Sequence, residues 1–143
     1  MCSSDLHLLS GVVFRDFGAL VTGSNMDPLE GRLDFGLDAV PEGFKEAVEA
    51  ACNIEVEADR GISAYELPRD EAFAIPDIIR TATNLLPPTI EIVRIVDIAG
   101  LDVQADGGTH VASTRQIGRM RVVKVENKGK GFRRIRIALD EQG

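Results

Sequence analysis

The sequence is poor in the features that mark cross-linked, secreted or membrane-spanning proteins. Its two cysteines, Cys2 and Cys52, are too few for a disulfide framework. No apolar run reaches the roughly 18 residues that span a bilayer, and no stretch resembles a signal peptide. We therefore expect a cytoplasmic protein in which Cys52 is a small core residue on the apolar face of a helix.

Length and composition indicate one domain. The chain has 143 residues, 44% of them apolar, which is enough to bury a core without covalent staples. It contains no internal repeat and no low-complexity segment. We predict a single domain over residues 1–143.

Charge is spread unevenly along the chain. The formal net charge is −7, yet residues 115–136 hold nine of the sixteen Lys and Arg residues and one acidic residue, Glu126. That segment carries +8, and the rest of the chain therefore carries −15. A basic strip on an acidic body predicts that a polyanion binds at one end, although a solvated charged hairpin would show the same pattern.

Periodicity predicts the elements of the first two thirds of the chain. Apolar residues at helical spacing predict a helix over about residues 4–17, which Ser4 or Asp5 could cap and Gly18 would end. Further on, the patterns predict strands over 19–22 and 32–37, a helix from Pro41 toward Asp59 ended by Gly61, a strand over 62–67, a brief helix from Pro68, and a strand over 91–98. The acidic residues of the second helix are assigned to its solvated face.

A loop over residues 102–110 and a basic hairpin complete the chain. The loop is expected to present Gln104, Asp106 and His110. The hairpin strands are predicted over 119–126 and 132–139, and the first has apolar residues on both faces, which places it inside the sheet. Its turn contains Lys128 and Lys130 between glycines, a pattern typical of anion-binding concavities and also of an ordinary hairpin turn.

Both histidines of the protein are candidate metal ligands. Asp106 and His110 flank two glycines and a threonine, and the glycines permit a tight turn with close backbone approach to a ligand. His7 shares a helix face with Ser3, one turn earlier, and lies beside small residues that leave room for a substrate.

Several of these motifs carry a family resemblance over nearly the whole chain. The motifs are Leu6-His-Leu-Leu-Ser-Gly-Val-Val, Leu20-Val-Thr-Gly, Gly31-Arg-Leu-Asp-Phe, Gly107-Gly-Thr-His-Val, Ile117-Gly-Arg and Glu126-Asn-Lys-Gly-Lys-Gly. In this order they resemble the AlaX family of freestanding alanyl-tRNA editing proteins. Related domains occur inside alanyl- and threonyl-tRNA synthetases.

The resemblance implies a fold and an activity. The implied fold is α+β, with a mostly antiparallel sheet packed with two main helices, and an active cleft between the first helix and the loop that ends at His110. The implied activity is that of a trans-editing aminoacyl-tRNA deacylase, which hydrolyses the ester of mischarged tRNA(Ala), chiefly Ser-tRNA(Ala). An aminoacyl ester is already activated, so positioning it beside an ordered or metal-polarised water suffices.

The resemblance also implies roles for particular residues. A Zn²⁺ ion would be held by His7, Asp106 and His110. Thr22, Thr109 and His110 would be the catalytic residues, with the Thr22 hydroxyl facing the amino-acid pocket. Lys128, Lys130, Arg133 and Arg134 would contact the tRNA.

The chain departs from the family pattern at two ligand positions. Ser3 stands where the family has the first histidine of a His-x-x-x-His pair, and Asp106 stands where it has cysteine. A carboxylate can replace a thiolate on Zn²⁺, whereas a serine hydroxyl is a poor ligand. Two alternatives therefore stay open: a tRNA-binding module with a decayed metal site, and a metal-dependent hydrolase of another small ester or amide.

Overall fold

The computed structural model describes residues 4–27, 30–79, 89–105 and 110–139. In this part of the chain the elements are α1 (Ser4–Phe17), β1 (Val21–Asp27), β2 (Glu30–Gly36), α2 (Phe44–Glu57), β3 (Ile62–Pro68), α3 (Arg69–Phe73), β4 (Ile92–Ile98), β5 (Asp102–Ala105), a 3₁₀ turn (Thr114–Ile117), β6 (Met120–Asn127) and β7 (Phe132–Leu139). None of the helices among these residues is long and apolar enough to cross a membrane.

The strands form two antiparallel sheets. One has the order β1-β2-β7-β6 and the other the order β3-β4-β5. The predicted α+β class is confirmed, but the strands form two sheets where one was expected. The second sheet has its own small core, made of Ala72, Ile78, Val93 and Ile95.

Helix α1 is buried on almost every side. Leu8, Leu9, Val12 and Val13 are fully buried and join the main core with α2 and the inner face of the four-stranded sheet. The helix begins and ends where its sequence predicts, and Gly18 closes it at φ +66° by donating from its backbone N–H to Phe14 O at 2.9 Å. Glycine is favoured there because a left-handed residue at a helix end costs it little.

Helix α2 covers the four-stranded sheet and is shorter than predicted. It starts at Phe44 after Gly43, which has φ +77°, and it ends at Glu57, before Asp59 at φ +53°. Pro41 therefore precedes the helix, and Gly61 instead forms an isolated bridge with Ser113. Cys52 is completely buried, as expected.

One acidic residue of α2 is buried, contrary to its predicted place on the solvated face. Glu55 is 4% exposed and lies between two guanidinium groups. Arg15 Nη1 donates to Glu55 Oε1 at 2.8 Å, and Arg60 Nε donates to Oε2. Burial would raise the pKa of Glu55, but the hydrogen bonds from Arg15 and Arg60 outweigh it and lower the pKa below its ordinary value.

Two further predictions in the last third of the chain are wrong. Residues 102–105 are strand β5 and not loop, paired with β4 from Asp102 opposite Ile98 to Ala105 opposite Ile95. Strand β6 lies at the edge of its sheet and β7 lies inside. A register shift between Val122 and Lys124 interrupts the alternation of β6, so apolar residues reach both faces without a strand on each side.

We predict that Glu55→Gln lowers the free energy of unfolding by about 1 to 2 kcal/mol at pH 7, because two partly exposed arginines lose their carboxylate. A carboxyl group with a lowered folded-state pKa stabilises above its unfolded pKa, and that stabilisation is lost as the pH falls. Urea denaturation should therefore show the difference from wild type narrowing below about pH 4. Glu46→Gln, at an exposed site on the same helix, is the control, and an equal effect of both substitutions would contradict the prediction.

Candidate active site

The first two turns of α1 place polar side chains inside the protein. Ser4, Asp5, His7 and Ser10 are each between 0% and 4% exposed. Burying such groups costs free energy unless they find partners. Stability alone would therefore not favour polar residues on this buried face.

His7 is held by strand β5. Its Nε2 lies 2.9 Å from Asp102 Oδ2, and the two side chains are 0% and 5% exposed. Gln104 Nε2 donates to the same carboxylate oxygen at 2.7 Å. Because Asp102 and Gln104 are two positions apart on one strand, both reach the same face of the sheet.

His110 is held by the start of α1. Its Nδ1 lies 3.0 Å from Ser4 Oγ, and that oxygen also accepts a hydrogen bond from Val111 N–H at 3.0 Å. Ser4 therefore bonds to His110, the last residue of the predicted loop, and to Val111, which follows it. The expected pairing of the first helix with this part of the chain is present at His110.

The two histidine rings face each other edge to face. Their centres are 5.5 Å apart and their planes are inclined by 77°. Asp5 lies nearby with neither carboxylate oxygen accepting a hydrogen bond of good geometry from the described residues. Burial raises the pKa of Asp5 to about 6, against the opposing influence of the Leu6 amide and of His110.

The histidine pair fits part of a zinc site. Two imidazoles on one tetrahedral Zn²⁺, with Zn–N of about 2.0 to 2.1 Å, would have ring centres roughly 5 Å apart, close to the observed 5.5 Å. Each ring is also oriented through one nitrogen, as metal-ligating histidines usually are. Asp106, the third predicted ligand, lies outside the described residues, as do Ser3 and Thr109. The described residues contain no group of three potential metal ligands.

A cavity of about 490 Å³ adjoins this group. Gly11 and Asp102 line it, together with Phe14, Ile75 and Leu101. Its volume is within the usual range for small-molecule sites. Neither histidine is among the residues that line it, so it adjoins this group only through Asp102.

Thr22 is not part of the buried group. It is exposed and lies on edge strand β1, where the register with β2 shifts between Val21 and Gly23. The structure therefore gives Thr22 a surface hydroxyl at a β-bulge. Its predicted contact with substrate stays a prediction.

The basic hairpin is formed as predicted, but much of its charge is paired. Glu126 accepts from Arg136 and lies 3.1 Å from Lys128 Nζ, contacts that lower its pKa to about 2. Arg134 donates to both oxygens of Asp34, at 2.8 and 3.1 Å. Burial would raise the pKa of Asp34, yet these bonds and one from Arg32 lower it.

The tRNA-contact candidates therefore differ in availability. Arg133 donates to the backbone oxygens of Asp38 at 2.8 Å and Phe132 at 2.9 Å, so it braces the turn. In the described part of the chain, Lys130 is exposed and takes part in no ion pair. The backbone amides of Lys128, Gly129 and Phe132 donate within the hairpin, so the turn offers an anion its lysines and not those amides.

Sequence reasoning missed Asp102, and it considered Ser4 only as a helix cap. The sequence predicts a loop over residues 102–110, where a carboxylate is ordinary, and therefore does not single out Asp102. The alternation of Asp102 and Gln104 with Val103 and Ala105 is a strand pattern with its polar face inward. Read in that way, it would have indicated a buried polar site on β5.

Comparison with known proteins supports the family resemblance. Residues 93–136 match the family described as the threonyl and alanyl tRNA synthetase second additional domain. The chain is 42% identical over 132 residues to the alanyl-tRNA editing protein AlaX-M of Saccharolobus solfataricus, covering 90% of this chain and 53% of that protein.

Two further relatives extend the comparison. AlaX-M of Methanosarcina barkeri is 30% identical, over 93% of this chain and 55% of its own length. The alanine–tRNA ligase of Cutibacterium acnes is 30% identical, over 82% of this chain and 13% of the ligase. These matches confirm the resemblance seen in the sequence, and the chain spans about half the length of the AlaX-M relatives.

Proposed function

Because this chain is a relative of the alanyl-tRNA editing proteins, we propose that it is an aminoacyl-tRNA deacylase that removes wrong amino acids from tRNA(Ala), chiefly serine. The observation that carries the proposal is the convergence of His7 and His110, each oriented by a hydrogen bond, at a buried polar face of α1. Two buried carboxylates, those of Asp5 and Asp102, lie beside the histidines.

The reaction would be the hydrolysis of one ester. The oxygen of a water molecule forms a bond to the ester carbonyl carbon, the bond to the ribose oxygen breaks, and that oxygen takes a proton. The products are the free amino acid and tRNA with its terminal hydroxyl restored. Since the ester is activated, the protein must mainly position it beside water and exclude competing conformations.

The side chains on α1 and β5 have distinct tasks in this proposal. His7 and His110, with Asp106, would hold a Zn²⁺ ion, which when bound would polarise the water or the ester carbonyl. Ser4 fixes the ring of His110, and Asp102 fixes the ring of His7.

Two surface features complete the proposal. The exposed Thr22 hydroxyl would bind the hydroxyl of a seryl group, which favours serine over amino acids without one. The hairpin would hold the acceptor end of the tRNA through the exposed Lys130 and through Lys128, whose ammonium also pairs with Glu126, whereas Arg133 and Arg134 are engaged within the protein.

We predict that protein purified without chelators or a histidine tag holds about one equivalent of zinc and deacylates Ser-tRNA(Ala) in preference to Ser-tRNA(Ser). His110→Ala should lose the metal and lower the rate on the order of 100-fold or more, as when charge stabilisation in a transition state is removed. Elemental analysis and release of labelled serine measure the two quantities.

The possible failures of this test point to different functions. Salt-sensitive tRNA binding without metal or deacylation would identify a binding module with a decayed site. Bound metal without deacylation or tRNA binding would favour a hydrolase of another ester or amide. Circular dichroism of His110→Ala confirms that the variant is folded.

We predict that Thr22→Val narrows the preference for Ser-tRNA(Ala) over Gly-tRNA(Ala) by about fivefold, because a neutral hydrogen bond contributes about 1 kcal/mol. Thr22→Ser keeps the hydroxyl and should keep the preference. The ratio of kcat/KM for the two substrates measures the effect. If Thr22→Val leaves that ratio unchanged, Thr22 does not select serine.

We predict that Lys128→Ala combined with Lys130→Ala weakens tRNA binding and flattens the slope of log affinity against log salt by about 1.4, since each single-strand phosphate contributes about 0.7. Metal content and the serine preference should not change. Lys45→Ala, on the exposed side of α2, is a control that also removes a lysine. An unchanged slope in the double variant would place the tRNA contacts elsewhere.

A further inference from the structure

Strand β5 approaches helix α1 closely at Asp102. Asp102 Oδ2 accepts from two side chains, His7 Nε2 at 2.9 Å and Gln104 Nε2 at 2.7 Å. The Gln104 amide nitrogen can only donate, so Asp102 must accept from it. A carboxylate that accepts from both neighbours fixes the proton of neutral His7 on Nε2 and the lone pair on Nδ1.

Gly11 makes this approach possible. It lies one helical turn after His7 on the same face of α1. A Cβ at Gly11 would lie 2.9 Å from Asp102 Cβ and 3.1 Å from Asp102 Cγ. Both are distances at which the neighbour must move, and the neighbour is the root of the Asp102 side chain and not a flexible tip.

We propose that Asp102 is a positioning residue that fixes the ring orientation and the protonated nitrogen of His7, and that Gly11 and Gln104 are required because they place the Asp102 carboxylate. The role of this unit in catalysis rests on the proposed function. The hydrogen bond itself does not, because it involves only side chains of this chain.

The alternative is that Asp102 is merely a polar residue satisfied at the edge of the core. The two ideas differ in what happens when Asp102 is displaced but not removed. Gly11→Ala displaces Asp102 under both ideas, because the added Cβ would lie 2.9 Å from Asp102 Cβ, but a merely structural Asp102 would move without changing how His7 binds Zn²⁺. A positioning unit would lose the His7 hydrogen bond in the same variant.

Nuclear magnetic resonance can follow this bond directly, because the protein has only two histidines. In metal-free wild-type protein we expect a slowly exchanging Nε2–H proton on His7. We expect it to be lost in both Asp102→Ala and Gly11→Ala, with the helix content unchanged. Asp97→Asn removes a carboxylate from the neighbouring strand β4 and should keep the proton.

Zn²⁺ alone then reports whether the orientation matters to ligand binding. Loss of a carboxylate that orients a ligand histidine weakens metal affinity by about 10- to 100-fold, and we expect a loss of this size in both variants by competition with a chelator. Should Asp102→Ala not fold, Gly11→Ala carries the test. Retention of the Nε2–H proton in either Asp102→Ala or Gly11→Ala, or unchanged Zn²⁺ affinity in both variants, would overturn the proposal.

This test is separate from that of the proposed function. The Nε2–H spectra need neither tRNA nor turnover. Protein that shows the bond and its loss but does not deacylate Ser-tRNA(Ala) would sustain the positioning role and refute the function. Protein that deacylates Ser-tRNA(Ala) while His7 lacks the protected proton would sustain the function and refute the positioning role.

Discussion

The hydrogen bond between His7 Nε2 and Asp102 Oδ2 ties the polar face of α1 to strand β5, and the rest of the candidate site is arranged around it. A buried polar group without a partner costs about 1 to 3 kcal/mol. Helix α1 buries four polar residues, and other elements of the protein supply partners for two of them, His7 and Ser4. β5 supplies Asp102 and Gln104, and the segment after it supplies His110 to Ser4. Local rules that favour apolar burial are broken at this face of α1, as is expected at functional sites.

Charge is managed differently at the two ends of the protein. At the histidine pair the ionisable groups are few and buried, so the electrostatic interactions between them are stronger than in water. Nine basic residues are concentrated in residues 115–136, but Lys128, Arg134 and Arg136 are paired with Glu126 or Asp34. Counting charges along the sequence therefore overstates the attraction available to a polyanion. In the proposed function, a phosphate would contact the exposed lysines of the turn.

Much of the architecture could be predicted because local patterns and structure agree. α1 keeps its predicted ends, since helical spacing and Gly18 both act within a few residues. The errors arise where a distant partner decides. Glu55 is buried because Arg15 reaches it from another helix. β6 lies at the edge of its sheet, and its apolar residues reach both faces because a bulge interrupts the alternation. Asp102 was missed because its partner His7 is 95 residues away.

The central claim is that His7 and His110 form one site that binds an aminoacyl end. Adenosine carrying serine through a non-hydrolysable amide is a direct probe, and the ring resonances of the only two histidines report its binding. The account predicts that both rings shift together, at the same concentration of the probe, and that the alanyl amide binds more weakly. Binding of the seryl amide that leaves both histidine rings unchanged would contradict it.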